Sequence, residues 1–150
     1  MKLLLVALGR YRVVAACSGR GKCQILSFFN ELEGTLQEQA DRMLALLEEV
    51  ADNGPSRNPE VCHWIEKNIW QFDEGKIRIL WFHGGYYEGL PNVVCSHAYK
   101  KDSRRTPTKE KSLVKRVRYL YFKDLAKSRI EIIENEEVRG GKRNGPKILR

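Results

Sequence analysis

The sequence predicts an α+β fold: an N-terminal strand and a helical hairpin packed on a mainly antiparallel sheet, in the order β-α-α-β-β-β-α. Three observations predict it. An apolar, β-branched run opens the chain at Leu3–Cys17. Two stretches between residues 22 and 53 repeat their apolar residues at helical spacing. From residue 63 to 99, short β-rich runs alternate with Gly- and Pro-bearing turns.

Leu3–Cys17 reads as one extended strand, kinked near Gly9. The opening run Leu3-Leu4-Leu5-Val6-Ala7-Leu8 ends at Gly9-Arg10, too short for a signal peptide's apolar core or for a membrane span. A cytoplasmic protein with no membrane partner is the expectation. Ser18-Gly19-Arg20-Gly21 is a turn, and Ile25, Leu26, Phe28, Phe29 and Leu32 then mark a first helix that Gly34 ends.

A second helix begins at Thr35, where a hydroxyl residue followed three positions later by Glu38 forms a capping-box pattern. Leu36, Ala40, Met43, Leu44, Leu47 and Val50 make its apolar stripe, and Asn53-Gly54-Pro55 stops it. His63–Phe72 and Lys76–His83, separated by Asp73-Glu74-Gly75, read as a β-hairpin. Within the return strand Lys76 and Arg78 share one face, alternating with Ile77 and Ile79. Gly84 to Pro91 reads as a loop, and Val93 to Tyr99 as the next strand.

Thr106-Pro107 opens a last helix, with Thr106 as N-cap and Pro107 at the first helical position. Leu113, Val117, Leu120 and Tyr121 are its expected inward stripe, and Lys111, Lys115, Arg116 and Arg118 its outer face. Residues 128–138 fit either a strand or the end of a helix. Gly140–Arg150 has the composition of a mobile basic tail. The expected division is a domain at 1–127 and a C-terminal extension at 128–150.

The formal charge of +8 is concentrated at one end. Residues 1–94 carry 10 Lys+Arg against 12 Asp+Glu, whereas residues 95–150 carry 17 against 7. A near-neutral scaffold with a basic last third points to an anion, most commonly nucleic acid. The densest cations follow a buried-strand pattern, Val93-Val94-Cys95, in the stretch that ends Lys100-Lys101-Asp102-Ser103-Arg104-Arg105. No cofactor is expected. Cys17, Cys23, Cys62 and Cys95 form no C-x-x-C pair, and Cys62-His63 with Cys95 and His97 matches no finger or ribbon spacing. Reduced thiols acting as small apolar side chains are the expectation.

These elements and motifs together resemble the RelE/ParE toxin superfamily of bacterial toxin–antitoxin systems, over about residues 9–125, and within it the HigB-like branch with its phage-derived members. The resemblance rests on Gly54-Pro55 after the helical pair, the strand around Trp70, and Arg78-Ile79-Leu80-Trp81. Its most specific part is His97-Ala98-Tyr99-Lys100-Lys101 running into Arg104-Arg105-Thr106-Pro107, similar to the branch's H-G-F-x-K-K-x-x-K-T-P. Asp102 stands where the branch has its second lysine, and Asp73 where a cation is common.

What the resemblance implies is a metal-independent, ribosome-dependent cleavage of mRNA, with a small helix-turn-helix antitoxin as partner. Cutting RNA requires a base for the 2′-hydroxyl, positive charge for the phosphorane and an acid for the leaving 5′-oxygen. Arg78 is the expected phosphate clamp, because its planar fork matches two phosphate oxygens. Lys101, with Lys100 beside it, is the expected proton-transfer group, and His97 its competitor. Lys76, Tyr99, Arg104, Arg105 and Lys109 are the expected RNA contacts. Two alternatives stand beside this reading. ParE-type relatives share the fold and inhibit DNA gyrase instead, and a non-catalytic member would only bind its antitoxin or nucleic acid.

Overall fold

The computed structural model describes residues 1–134, so the basic tail expected at 140–150 lies outside the described residues. The first apolar run is two strands rather than one. β1 (Lys2–Leu8) and β2 (Arg12–Ala16) form an antiparallel pair. Gly9 reverses the chain instead of kinking it, because the turn is pressed against a later helix. A Cβ on Gly9 would lie 2.6 Å from the carbonyl oxygen of Ala51, which accepts a 2.9 Å hydrogen bond from the Tyr11 amide.

The helical pair follows as α1 (Gln24–Asn30) and α2 (Thr35–Asn53). The capping box is not formed. Gly34 occupies the N-cap position with φ 61°, and no side chain caps the helix, because Thr35 is already inside it. Gly54 does supply the positive φ (86°) that ends α2.

Four antiparallel strands then run as a meander: β3 (Cys62–Glu66), β4 (Ile69–Glu74), β5 (Ile77–Tyr87) and β6 (Leu90–Lys100). The loop expected at Gly84–Pro91 is mostly strand, closed by a two-residue turn at Glu88-Gly89 with φ 48° and 85°. Gly84 is there for space, since a Cβ would meet Tyr121 Oη and Val94 Cγ2 at 2.7 Å. Gly85 (φ 72°) sits in the register shift between His83 and Tyr86.

α3 (Thr108–Ala126) follows, and β7 (Glu131–Ile133) resolves the 128–138 ambiguity as a strand in its described part. The sheet order is β3-β4-β5-β6-β2-β1-β7. Pairing is antiparallel except at β2–β6 and β1–β7. α1 and α2 cover one face over Phe29, Met43, Leu47, Phe72, Ile79 and Trp81. α3 covers the other, over Leu3, Leu80, Phe82 and Val94. A sheet covered on both faces explains why every residue of β2 is buried.

The inward stripe of α3 differs from the expected one. Val114 and Tyr121 are buried, with Val117, Phe122 and Leu125 packed beside them, whereas Leu113 and Leu120 are 41% and 37% exposed. Leu113 and Leu120 each lie one residue, about 100° of helix, from the stripe that meets the sheet. Among the described residues, no helix is long and apolar enough to cross a membrane.

Candidate functional site

The two-residue period of the strands places a row of polar side chains on the α3 face near one end of the sheet. His63 of β3 is opposite Gln71 of β4, Asp73 of β4 is opposite Arg78 of β5, and Arg78 is opposite Tyr99 of β6. Arg78 is only 8% exposed, so its guanidinium must find acceptors inside the protein. Nη1 donates to the carbonyls of Gly75 (2.7 Å) and Ile77 (3.0 Å), and Nε lies 3.4 Å from Asp73 Oδ1. Among the described residues these contacts involve Nη1 and Nε, not Nη2.

Gln71 ties the row together. Its Nε2 donates to Asp73 Oδ1 at 2.8 Å and lies 3.3 Å from His63 Nε2. Its Oε1 accepts from the Tyr99 hydroxyl at 2.8 Å and from Thr106 Oγ1 at 3.1 Å. Thr106 is therefore not the N-cap of α3, a position that Pro107 takes without a side-chain bond. Thr106 instead fastens the basic loop to the sheet.

That loop completes a cavity of about 590 Å³, with Gln71, Asp73 and Arg78 in its lining and Lys101, Arg104 and Arg105 from the loop. The three loop cations are exposed at the rim. The Lys101 amide donates to the Lys76 carbonyl at 2.7 Å, which extends the β5–β6 pairing to the start of the loop. His63 lines the same cavity, with Nδ1 3.7 Å from Asp73 Oδ2.

The remaining expected residues lie elsewhere. Lys76 precedes β5 and is exposed, so it does not share a strand face with the buried Arg78. Lys100, Lys109 and His97, together with the side of Tyr99 turned away from the polar row, line a second hollow of about 610 Å³ beside Phe28 of α1. Arg78 and Lys101 are thus brought together, while His97 and Lys100 open on the other hollow. His97 is buried, with Nδ1 2.9 Å from Ser96 Oγ and Nε2 3.1 Å from Glu110 Oε1, a linkage between sheet and α3. Sequence reasoning missed His63 and the roles of Gln71 and Asp73. Their alternation along β3 and β4 was the available signal.

Burial lowers the pKa of His97, and the Glu110 carboxylate opposes that shift without cancelling it. The unfolded chain therefore takes up this proton first as the pH falls. The resulting stability is intact above the ordinary histidine value of about 6.5 and is lost as the pH drops from there toward the lower folded value. His83, lowered by burial, contributes with the same sign. Thermal melts from pH 8 to 5 should show falling stability below about pH 6.5, and His97→Gln should flatten that slope. Equal slopes would show that His97 does not titrate across unfolding.

A family model described as phage-derived protein Gp49-like matches residues 27–119, from within α1 to within α3, which includes the whole polar row and the basic loop. No curated protein matches the chain.

Proposed function

Because the chain belongs to the Gp49-like family of phage-derived proteins, itself within the RelE/HigB-like toxin group, we propose that it is the toxin of a type II toxin–antitoxin system that cuts messenger RNA on the ribosome. The observation that carries the proposal is the cavity in which a buried arginine faces a rim of lysine and arginine. Membership of a toxin–antitoxin family implies an antitoxin partner. A small helix-turn-helix protein with an acidic segment over the basic loop is the form we propose for it.

The chemistry follows from the side chains. Arg78 Nη2 and the rim cations hold the scissile phosphate and balance the charge that grows on the phosphorane. Two proton-transfer groups reach this cavity, Lys101 at the rim and His63 on the wall. One removes the 2′-hydroxyl proton, the 2′-oxygen attacks phosphorus, and the other protonates the departing 5′-oxygen. His63, on the wall of this cavity, takes the part expected of His97, which is buried and lines the other hollow.

One observation favours a second reading. Asp73 already neutralises Arg78, as a non-catalytic binding member would tolerate. Induced expression separates the readings. The nuclease reading expects growth arrest with new 5′ ends inside translated mRNA and unchanged gyrase supercoiling. Arrest with intact mRNA and inhibited supercoiling, or no arrest at all, would overturn it.

A further inference from the structure

Trp64 is 58% exposed, although Trp81 is fully buried and Trp70 is packed against the core. It stands on β3, the edge strand, opposite Trp70. Trp64 borders two concavities at once. One is the cavity of Arg78 and Lys101. The other, of about 390 Å³, is lined by Trp64, Lys67, Asn68, Trp70, His83 and Arg118.

Arg118 brings a fixed positive charge to this second hollow. Its guanidinium carbon lies 4.9 Å from the centre of the Phe122 ring, and its Nε is buried with no hydrogen-bond partner among the described residues. Nε itself has no exposed surface, so what Arg118 offers a ligand in the hollow is its charge and the terminal nitrogens of its guanidinium. The hollow therefore combines an exposed indole with two cationic side chains, Lys67 and Arg118, directly beside a cavity suited to phosphate.

A nucleotide has the complementary parts: an anionic phosphate joined by a short sugar to a flat ring edged with carbonyl oxygens and ring nitrogens. We propose that the hollow is a nucleobase subsite, in which the base next to the phosphate held by Arg78 stacks on Trp64 and turns its acceptor edge toward Arg118. This rests on the ribonuclease reading for the identity of the strand, and it adds the residue that positions the base. Stacking on an aromatic side chain is sequence-tolerant and contributes about 1–3 kcal/mol per base, or roughly 5–150-fold in affinity. Trp64 thus sets grip and register more than sequence preference.

The test uses the full chain and a short single-stranded 2′-O-methyl RNA, which lacks the attacking hydroxyl and cannot be cut. A second oligonucleotide of the same length has one nucleotide made abasic, placed at each position in turn. Fluorescence anisotropy at low salt should show at least a 5-fold loss of wild-type affinity at one abasic position. Trp64→Ala should bind both oligonucleotides at the weaker level, and Trp64→Phe should keep most of the difference. Because Trp64 is exposed, melting should be unchanged in both variants.

A wild-type protein indifferent to every abasic position would overturn the subsite. So would Trp64→Ala that still discriminates, or Trp64→Ala that loses only antitoxin binding, which would assign the indole to a protein partner. The ribonuclease reading fails separately. If the wild type discriminates through Trp64 but cuts no mRNA, the subsite stands on a nucleic-acid-binding protein without nuclease activity.

Discussion

Replacing Arg78 by lysine is expected to lower RNA cleavage by about 10²–10³-fold while leaving the fold in place, the effect of removing one preorganised donor from a developing anion. The lysine retains a positive charge near Asp73 but has no second nitrogen to share between backbone and phosphate. Arg78→Ala is the harsher variant. It strips the acceptors Gly75 O and Ile77 O of the Arg78 donor and leaves Asp73, among the described residues, with Gln71 and His63 as its remaining partners. Breaking a buried ion pair costs about 3–5 kcal/mol, so that protein should melt early as well as fail to cut. The lysine variant therefore carries the functional question and the alanine variant the structural one. Asp73→Asn supplies the opposite sign. With its carboxylate neutral, a phosphate no longer competes for the guanidinium, and RNA affinity should rise. Primer extension on mRNA from induced cells and calorimetric melts check the two Arg78 variants, and fluorescence anisotropy with an uncleavable RNA checks the affinity of Asp73→Asn. Full cleavage by Arg78→Lys would remove Arg78 from the catalytic role.

What could be read from the sequence was whatever a local pattern decides alone. The apolar stripes of α1 and α2 and the cations after β6 all follow from spacing. The α+β class followed from them. What escaped depended on contacts distant in sequence. Gly9 between two apolar runs fits a kink or a reversal equally well, and only the carbonyl of Ala51 decides. Gly84-Gly85 carries the same local cue as a loop, yet Gly84 lies in a strand because Tyr121 of α3 leaves no room for a side chain. His97 shares a short stretch with the cations. The register pairs Leu80 with His97 but Trp81 with Cys95, so Ser96 is an extra residue, and His97 ends up against Glu110 of α3. His63 and Asp73 were readable from alternation, but only once the pairing of β3, β4 and β5 was known.

Trp81→Ala is expected to have the largest effect on stability. Trp81 is fully buried, stacked on Phe72 at 4.8 Å and 12° and on Trp70 at 5.8 Å and 26°, with His83 edge-on at 4.9 Å. Truncating a buried tryptophan costs about 3–5 kcal/mol, out of a total that for a domain is only about 5–15 kcal/mol. A fall in Tm of roughly 6–20 °C is the corresponding shift for a chain of this size. Trp81→Phe should cost clearly less. It keeps an aromatic ring between Phe72 and Trp70, and it removes Nε1, which is buried without a hydrogen-bond partner among the described residues. The stack and the site share their strands: β4 carries Trp70, Phe72 and Asp73, and β5 carries Trp81 and Arg78. Loosening the stack on one face therefore frees the Asp73–Arg78 register on the other. Cleavage by Trp81→Ala should fall together with its melting temperature and recover on cooling, whereas Arg78→Lys should stay inactive at every temperature. That difference in temperature dependence separates a residue that holds the strands from one that holds the phosphate.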